Sequence, residues 1–298
     1  MTKSNREWTA QSRGGALGHR IFIKLIQWFG VNTAYVLLAF VAGYFIPFAP
    51  KATKSMWYYY REIHHYSKLK TIVSLYKHYF RFGQTLIDKI AVLSGKENNY
   101  RFEFSDEYAS FISNDADGLV IIGAHMGSWE MGSSFFKEYK KKINIVMYDG
   151  EHAAVKNALS VTKQTLNYSI IPINEGGLEA MLKIKIALNN GEGVCFQGDR
   201  YLGEEHRLLL PFMGKMAYFP EGPFLLASKL RKPIIFYFAI RQGKTYKFNF
   251  TQASSQEKPG SKAYMYDIAK QYTQALEKQV KEHPNQWFNF YPFWEQNT

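Results

Sequence analysis

The chain has 298 residues, 46% apolar content and a formal net charge of +12. That excludes a disordered polypeptide and leaves one large domain or two small ones. A single cysteine, Cys195, excludes an intrachain disulfide and a cysteine zinc pair, and its apolar neighbours in "GEGVCFQGD" mark a buried structural thiol.

The charge is unevenly spread. Residues 1–100 hold 14 Lys and Arg against 4 Asp and Glu, whereas the other residues hold 23 against 21. The basic N-terminal third therefore calls for an acidic partner: anionic lipid, an acidic protein or nucleic acid. Within it, residues 25–50 run 26 positions without a charge ("LIQWFGVNTAYVLLAFVAGYFIPFAP"), long enough for a membrane span. The run is too long for a signal peptide. Basic residues flank it on both sides, so the positive-inside rule picks no direction and favours a segment dipping into one leaflet. Gly30, Asn32, Gly43 and Pro47 suggest a bent hairpin, with Trp28, Tyr35, Tyr44 and Phe45 at headgroup level. A buried pair of core helices is the alternative.

Residues 55–95 read as helix. Leu69, Ile72, Val73, Tyr76, Tyr79 and Phe80 share a face, and His64, His65, Lys68, Lys70, Lys77 and His78 occupy much of the rest. Such basic, aromatic helices suit a membrane surface. The adjacent histidines of "EIHHY" point to different faces and make no metal pair.

Beyond about residue 106, short apolar runs alternate with amphipathic stretches. Strands are expected at Leu119–Ala124, Ile143–Tyr148, Ile170–Ile173, Val194–Gln197, Ile234–Ile240 and Tyr246–Phe250. Helices are expected at Trp129–Tyr139, Ala153–Asn167, Gly177–Leu188 and Gly222–Leu230, with a last one capped by Ser261 and ended by His283-Pro284. The pattern is that of an α/β fold, a mainly parallel sheet flanked by helices. Three regions follow: a membrane-associating segment (1–60), a helical region (61–105) and an α/β domain (106–298).

The stretch "GLVIIGAHMGSWEMG" delivers His125 to the end of a strand. Met126 and Gly127 turn the chain, Ser128 caps the next helix, and Glu130 falls in its first turn. On one helix, positions five apart point about 140° away from each other, so His125 and Glu130 meet only through that turn. An imidazole held by a carboxylate is a general base for a hydroxyl attacking a carbonyl. Ser128 is a rival nucleophile, but "GSWEMG" lacks the hydrolase elbow pattern. A satisfied buried histidine and a helix-start acid are the plain alternative.

"HMGSWE" has the His-x4-acid form of the glycerolipid acyltransferase superfamily. In detail the chain resembles the bacterial lipid A biosynthesis acyltransferase family, the late lauroyl/myristoyl-type enzymes. The resemblance extends through "GVCFQGDRYLG", "LPFMGKMAYFPEGPFLLASKLRKPIIFYFAIRQ" and "HPNQWFNFYPFW". It departs at Pro223, where Thr or Ser is usual, and in "EHAAVKNALSVTKQT", which lacks an expected arginine that Lys156 or Lys163 would replace.

The resemblance implies transfer of an acyl group from a thioester of acyl carrier protein or CoA to a hydroxyl of a lipid or glycolipid. No metal or other cofactor is implied. His125 would be the base and Glu130 its partner. Backbone N–H groups near Gly127 and Ser128 would serve the oxyanion. Arg200 would bind a phosphate or headgroup, Asp199 would hold Arg200 or a substrate hydroxyl, and Glu221 and Lys156 would contact substrate. The block Phe212–Leu226 would line an acyl slot. The expected partners are anionic membrane lipid and acyl carrier protein rather than nucleic acid, at the cytoplasmic face of a bacterial inner membrane. A thioesterase using the same dyad and an inert lipid-binding protein are the alternatives.

Overall fold

The computed structural model describes residues 24–26, 28–93, 95–105, 118–128, 131, 142–148, 168–173, 177–201 and 206–294. Lys156, Glu130 and the two helices expected at 129–139 and 153–167 lie wholly or largely outside these residues.

Most of the uncharged N-terminal run is one helix, α1 (Val31–Phe48), preceded by helical residues 24–26 and 28–29 and a break at Gly30 (φ +84°), and it does not fold back within α1 as the expected hairpin would. Gly43 sits inside it and Pro47 falls in its last turn, where the proline ends the helix without bending its middle. Helix α2 (Pro50–Tyr58) follows with its proline at the first turn, then a π-helical turn over Tyr59–Ile63. The chain breaks at His64–Ser67, with His65 at positive φ, before helix α3 (Lys68–Leu93). The single helix expected over 55–95 is thus two.

Helices α1 and α3 pack antiparallel. Phe45 stacks on Tyr79, Tyr35 bonds to Asp88, and Lys96 just beyond α3 donates to the Ile26 carbonyl. Leu38 presses on Gly83, where any Cβ would collide with it.

A seven-stranded sheet follows in the order β1-β9-β8-β2-β5-β3-β4. The strands are β1 (Arg101–Phe104), β2 (Leu119–Gly127), β3 (Ile143–Tyr148), β4 (Tyr168–Ile173), β5 (Gly193–Gln197), β8 (Ile234–Gln242) and β9 (Thr245–Gln252). The five from β8 to β4 run parallel, while β9 pairs antiparallel with β8 and carries β1 parallel to itself. Strand β1 falls before residue 106, so the sheet begins within the region read as helical. A hairpin not expected from sequence, β6 (Arg207–Phe212) with β7 (Lys215–Pro220), forms a second small sheet. It contains part of the block read as an acyl slot, and Phe212, Ala217, Phe219 and Phe224 are fully buried core residues.

Helices α4 (Leu178–Asn189), α5 (Glu221–Leu230) and α6 (Lys262–Glu282) bury their apolar sides on one face of the sheet. Ser261 caps α6 by accepting from the Tyr264 N–H. On the other face, Ile26, Ala34 and Leu38 join Ile87, Ala91 and Val92 of α3 in one core with Ile235, Tyr237 and Phe248 of the sheet. The N-terminal helices are therefore packed into the fold. A buried polar cluster fastens them. The Asp88 carboxylate of α3 accepts from Arg241 Nε (2.7 Å), Tyr100 Oη (2.9 Å), Tyr35 Oη and Tyr246 Oη. Four donors satisfy a carboxylate that would be costly to bury alone.

Candidate active site

The site grows from an irregularity in β2, the central strand. Its neighbour β8 pairs Tyr237 with Gly123 and Ala239 with Gly127, so two extra residues of β2 bulge from the ladder. Bulges of this kind re-aim a side chain, and here the bulge contains His125. Gly127 closes it at φ +60°, and a Cβ there would run into the Ala239 carbonyl oxygen. The chain turns at once, with the Met131 N–H bonding to the Ser128 carbonyl (2.9 Å).

Released from β8, the His125 backbone finds other partners. Its N–H donates to Asp199 Oδ2 (3.0 Å), and its carbonyl accepts from the Phe288 N–H (2.9 Å). The ring follows the backbone, with Nδ1 2.8 Å from Asp199 Oδ1. His125 is 14% exposed and Asp199 only 2%.

Strand register explains the meeting of residues 74 positions apart. Gly123 of β2 lies opposite Gln197 of β5, so two further steps on each chain bring His125 to Asp199. Gly198 makes the crossing possible. A Cβ on it would come within 2.8 Å of both Ile122 Cγ2 and Tyr272 Cζ, while its N–H bonds to the Gly123 carbonyl.

The carboxylate is held on every side. Trp287 Nε1 donates to Oδ2 (3.0 Å), and the Tyr291 hydroxyl donates to the Asp199 carbonyl (3.1 Å). Burial alone would raise the Asp199 carboxyl. The charge and hydrogen bond of His125, the nearby Arg200 charge and the Trp287 N–H outweigh it and hold the carboxyl below its ordinary 3.8. Asp199 is thus an ionised acceptor that fixes the imidazole tautomer with its proton on Nδ1 and the basic lone pair on Nε2. The expectation for Asp199, holding Arg200 or a substrate hydroxyl, does not name this contact with the imidazole, and the Arg200 charge acts on the same carboxylate.

The C-terminal segment supplies much of the frame. Trp287 pairs with Met126 across an isolated bridge and is buried among Tyr59, Phe212, Phe293 and Trp294. Arg200 spends one Nη2 N–H on the Phe288 carbonyl (2.9 Å). Sequence reasoning quoted this segment for its resemblance and gave Trp287 no role. Its contact with Asp199 spans 88 positions and has no local signal.

The expectation for the Ser128 N–H is corrected, and Glu221 has a helix-start partner of its own. The Ser128 N–H does not face the site, because the turn at Gly127 sends it back to the Ala239 carbonyl (2.9 Å). Ser128 itself is buried. Glu221 begins α5, with its N–H on the His206 carbonyl and its carboxylate 3.5 Å from His206 Nδ1, which suits an acid at a helix start. Cys195 is buried, and burial pushes its thiol up to about 12, as expected of a structural cysteine. Among the described residues no three His, Cys, Asp or Glu side chains gather as metal ligands.

Comparison with curated proteins returns no match. The family model described as bacterial lipid A biosynthesis acyltransferase matches residues 73–296, a span that contains every strand of the sheet, His125, Asp199 and Trp287. The chain belongs to the bacterial lipid A biosynthesis acyltransferase family.

Proposed function

We propose that the protein transfers a fatty acyl group from an acyl thioester, carried by acyl carrier protein or CoA, to a hydroxyl of a lipid or glycolipid at the cytoplasmic face of a bacterial inner membrane. The observation that carries this reading is the His125 Nδ1–Asp199 Oδ1 contact of 2.8 Å at the C-terminal end of the central strand. Parallel sheets present their ligands at that edge.

The chemistry follows from the tautomer. Nε2 of His125 takes the proton of the acceptor hydroxyl as its oxygen attacks the thioester carbonyl. The C–S bond then breaks, and the thiolate leaves with the proton returned by His125. Asp199 stabilises the imidazolium in between, as the carboxylate does in a catalytic triad. Glu130, expected as the imidazole's partner, lies outside the described residues, and Nδ1 already has Asp199. Arg200 is half-buried beside that pair and supplies positive charge for a donor phosphate or an anionic headgroup.

The test is the membrane lipidome of cells with and without the gene, complemented by wild type or His125→Ala. One lipid class loses an acyl group, and wild type but not His125→Ala restores it. Restoration by His125→Ala removes the imidazole from the chemistry. Thioester loss without an acylated lipid turns the reading to a hydrolase.

A further inference from the structure

Helix α1 is long and apolar enough to cross a bilayer by length and composition. Its surroundings argue against crossing. Its inner residues Ala34 and Leu38 belong to the same core as the sheet residues Ile235 and Phe248. Its Tyr35 bonds to Asp88, which is bound in turn by Arg241 of β8. Along its length it lies against α3, a 26-residue helix. Setting α1 across a membrane would drag Lys77, Arg81, Gln84, Asp88 and Lys89 of α3 to hydrocarbon depth, with the face of the sheet packed behind them. Charged groups there are costly.

The outer surface of the same pair tells the complementary story. Val36, Phe40, Tyr44 and Phe48 recur every four residues on the far side of α1, and all are exposed, Phe40 at 75%. The first half of α3 adds Leu69, Ile72, Val73 and Tyr76 at three- and four-residue spacing, with Leu69 74% exposed. The two stripes are joined where the Tyr76 hydroxyl donates to the Ala39 carbonyl, next to Phe40 (3.2 Å). Exposed Lys68, Lys70 and Lys77 lie in α3, and exposed Lys51 and Lys54 lie in α2, which follows α1 directly.

A two-helix apolar surface accompanied by lysines is complementary to an anionic leaflet. We propose that α1 and the first half of α3 form one platform that lies in the plane of a single anionic leaflet and does not cross it. The proposal gives a form to the membrane association in the functional reading above and does not depend on its chemistry. The apolar stripes enter the acyl boundary to a depth of about 5–10 Å. Each lysine near the headgroups adds an attraction that salt weakens.

Two experiments test it, and neither reads acyl transfer, so failure of the catalytic reading leaves both standing. In the first, purified protein is floated with phosphatidylcholine vesicles with and without phosphatidylglycerol. The double variant Leu69→Asp/Val73→Asp, whose melting temperature checks folding, loses about tenfold or more in partition, as does Phe40→Asp, and wild-type binding falls with added salt. Binding of the α3 variant at the wild-type level overturns the platform, since α1 alone would then dock. Burial of the stripes in a soluble dimer that ignores vesicles overturns it too. In the second, Ser4→Cys and Lys54→Cys are labelled separately by a membrane-impermeant maleimide, the buried Cys195 giving little background. Both label in inverted vesicles and neither in intact spheroplasts. Labelling from opposite faces shows a crossing helix and overturns the proposal.

Discussion

Replacing Asp199 by asparagine tests the site most directly, because the structure dictates which way the amide must turn. Oδ2 accepts two N–H groups, from the His125 backbone and from Trp287. An amide nitrogen there would face two donors, so the carboxamide oxygen takes that place. The NH2 group then replaces Oδ1, 2.8 Å from His125 Nδ1. A donor at that position forces Nδ1 to accept, moves the ring proton to Nε2 and removes the base. Loss of a general base costs about 10²–10⁴-fold. A wrong tautomer in a related arrangement costs about 10⁴, so the expected loss in kcat is about 10³–10⁴-fold, or about 4–5.5 kcal/mol in activation free energy. Purified wild type and Asp199→Asn are compared by release of free thiol from an acyl thioester in the presence of the lipid acceptor, with thermal melting as the folding control. A folded Asp199→Asn within tenfold of wild type would refute the assignment.

Trp287→Phe keeps a ring in the pocket and removes only the N–H on Oδ2. It should lower kcat by about tenfold, the value of one hydrogen bond to a charged group, with KM little changed; a change confined to KM would place Trp287 in substrate binding instead. Acid stability offers an independent check on α3. His78 is fully buried against Tyr60 Oη (3.0 Å), and burial lowers its pKa from 6.5 to about 3. The unfolded chain binds this proton from about 6.5 downward and the folded chain only near 3. The stabilising effect is therefore complete above 6.5 and is lost as pH falls through that window, about 1.4 kcal/mol per unit and about 5 kcal/mol in all. Urea midpoints measured from neutral pH to pH 4 should fall more steeply for wild type than for His78→Phe, and equal slopes would contradict a neutral buried ring.

The parallel strands were legible because burial on both faces writes them as unbroken apolar runs: "LVIIGA", "INIVMY" and "IIFYFAI" all stand where expected. Ser261 was legible as a cap for a local reason, its side chain reaching an N–H three residues on. Strand β1 was not, since "RFEF" is short, alternating and at an edge. The β6–β7 hairpin hid behind Pro211 and its apolar density, which read equally well as a lipid slot. Pro47 and Gly43 suggested a bend, but a proline one residue from the helix end has almost no helix left to break. At the site, His125 was visible as a base at a strand end, and Asp199 was visible at the same sheet edge. Their pairing was not, because it depends on register between β2 and β5, and no periodicity within one strand records its offset from another.

The Asp88 cluster ties α1 and α3 to β8 through buried hydrogen bonds. The same α3 sends His78 and Phe82 onto Phe288 and Phe290, in the segment that braces the Asp199 carboxylate. Among the described residues, the helices that carry the apolar stripes and the His125–Asp199 pair are one solid piece. Seated on a leaflet as proposed above, such a molecule would hold His125 Nε2 at a set altitude and tilt, and it would travel in two dimensions without scanning the third. In that reading a hydroxyl floating too high or too deep would be passed over however well its headgroup fits, and selection among lipids would begin with where each one rides in the membrane.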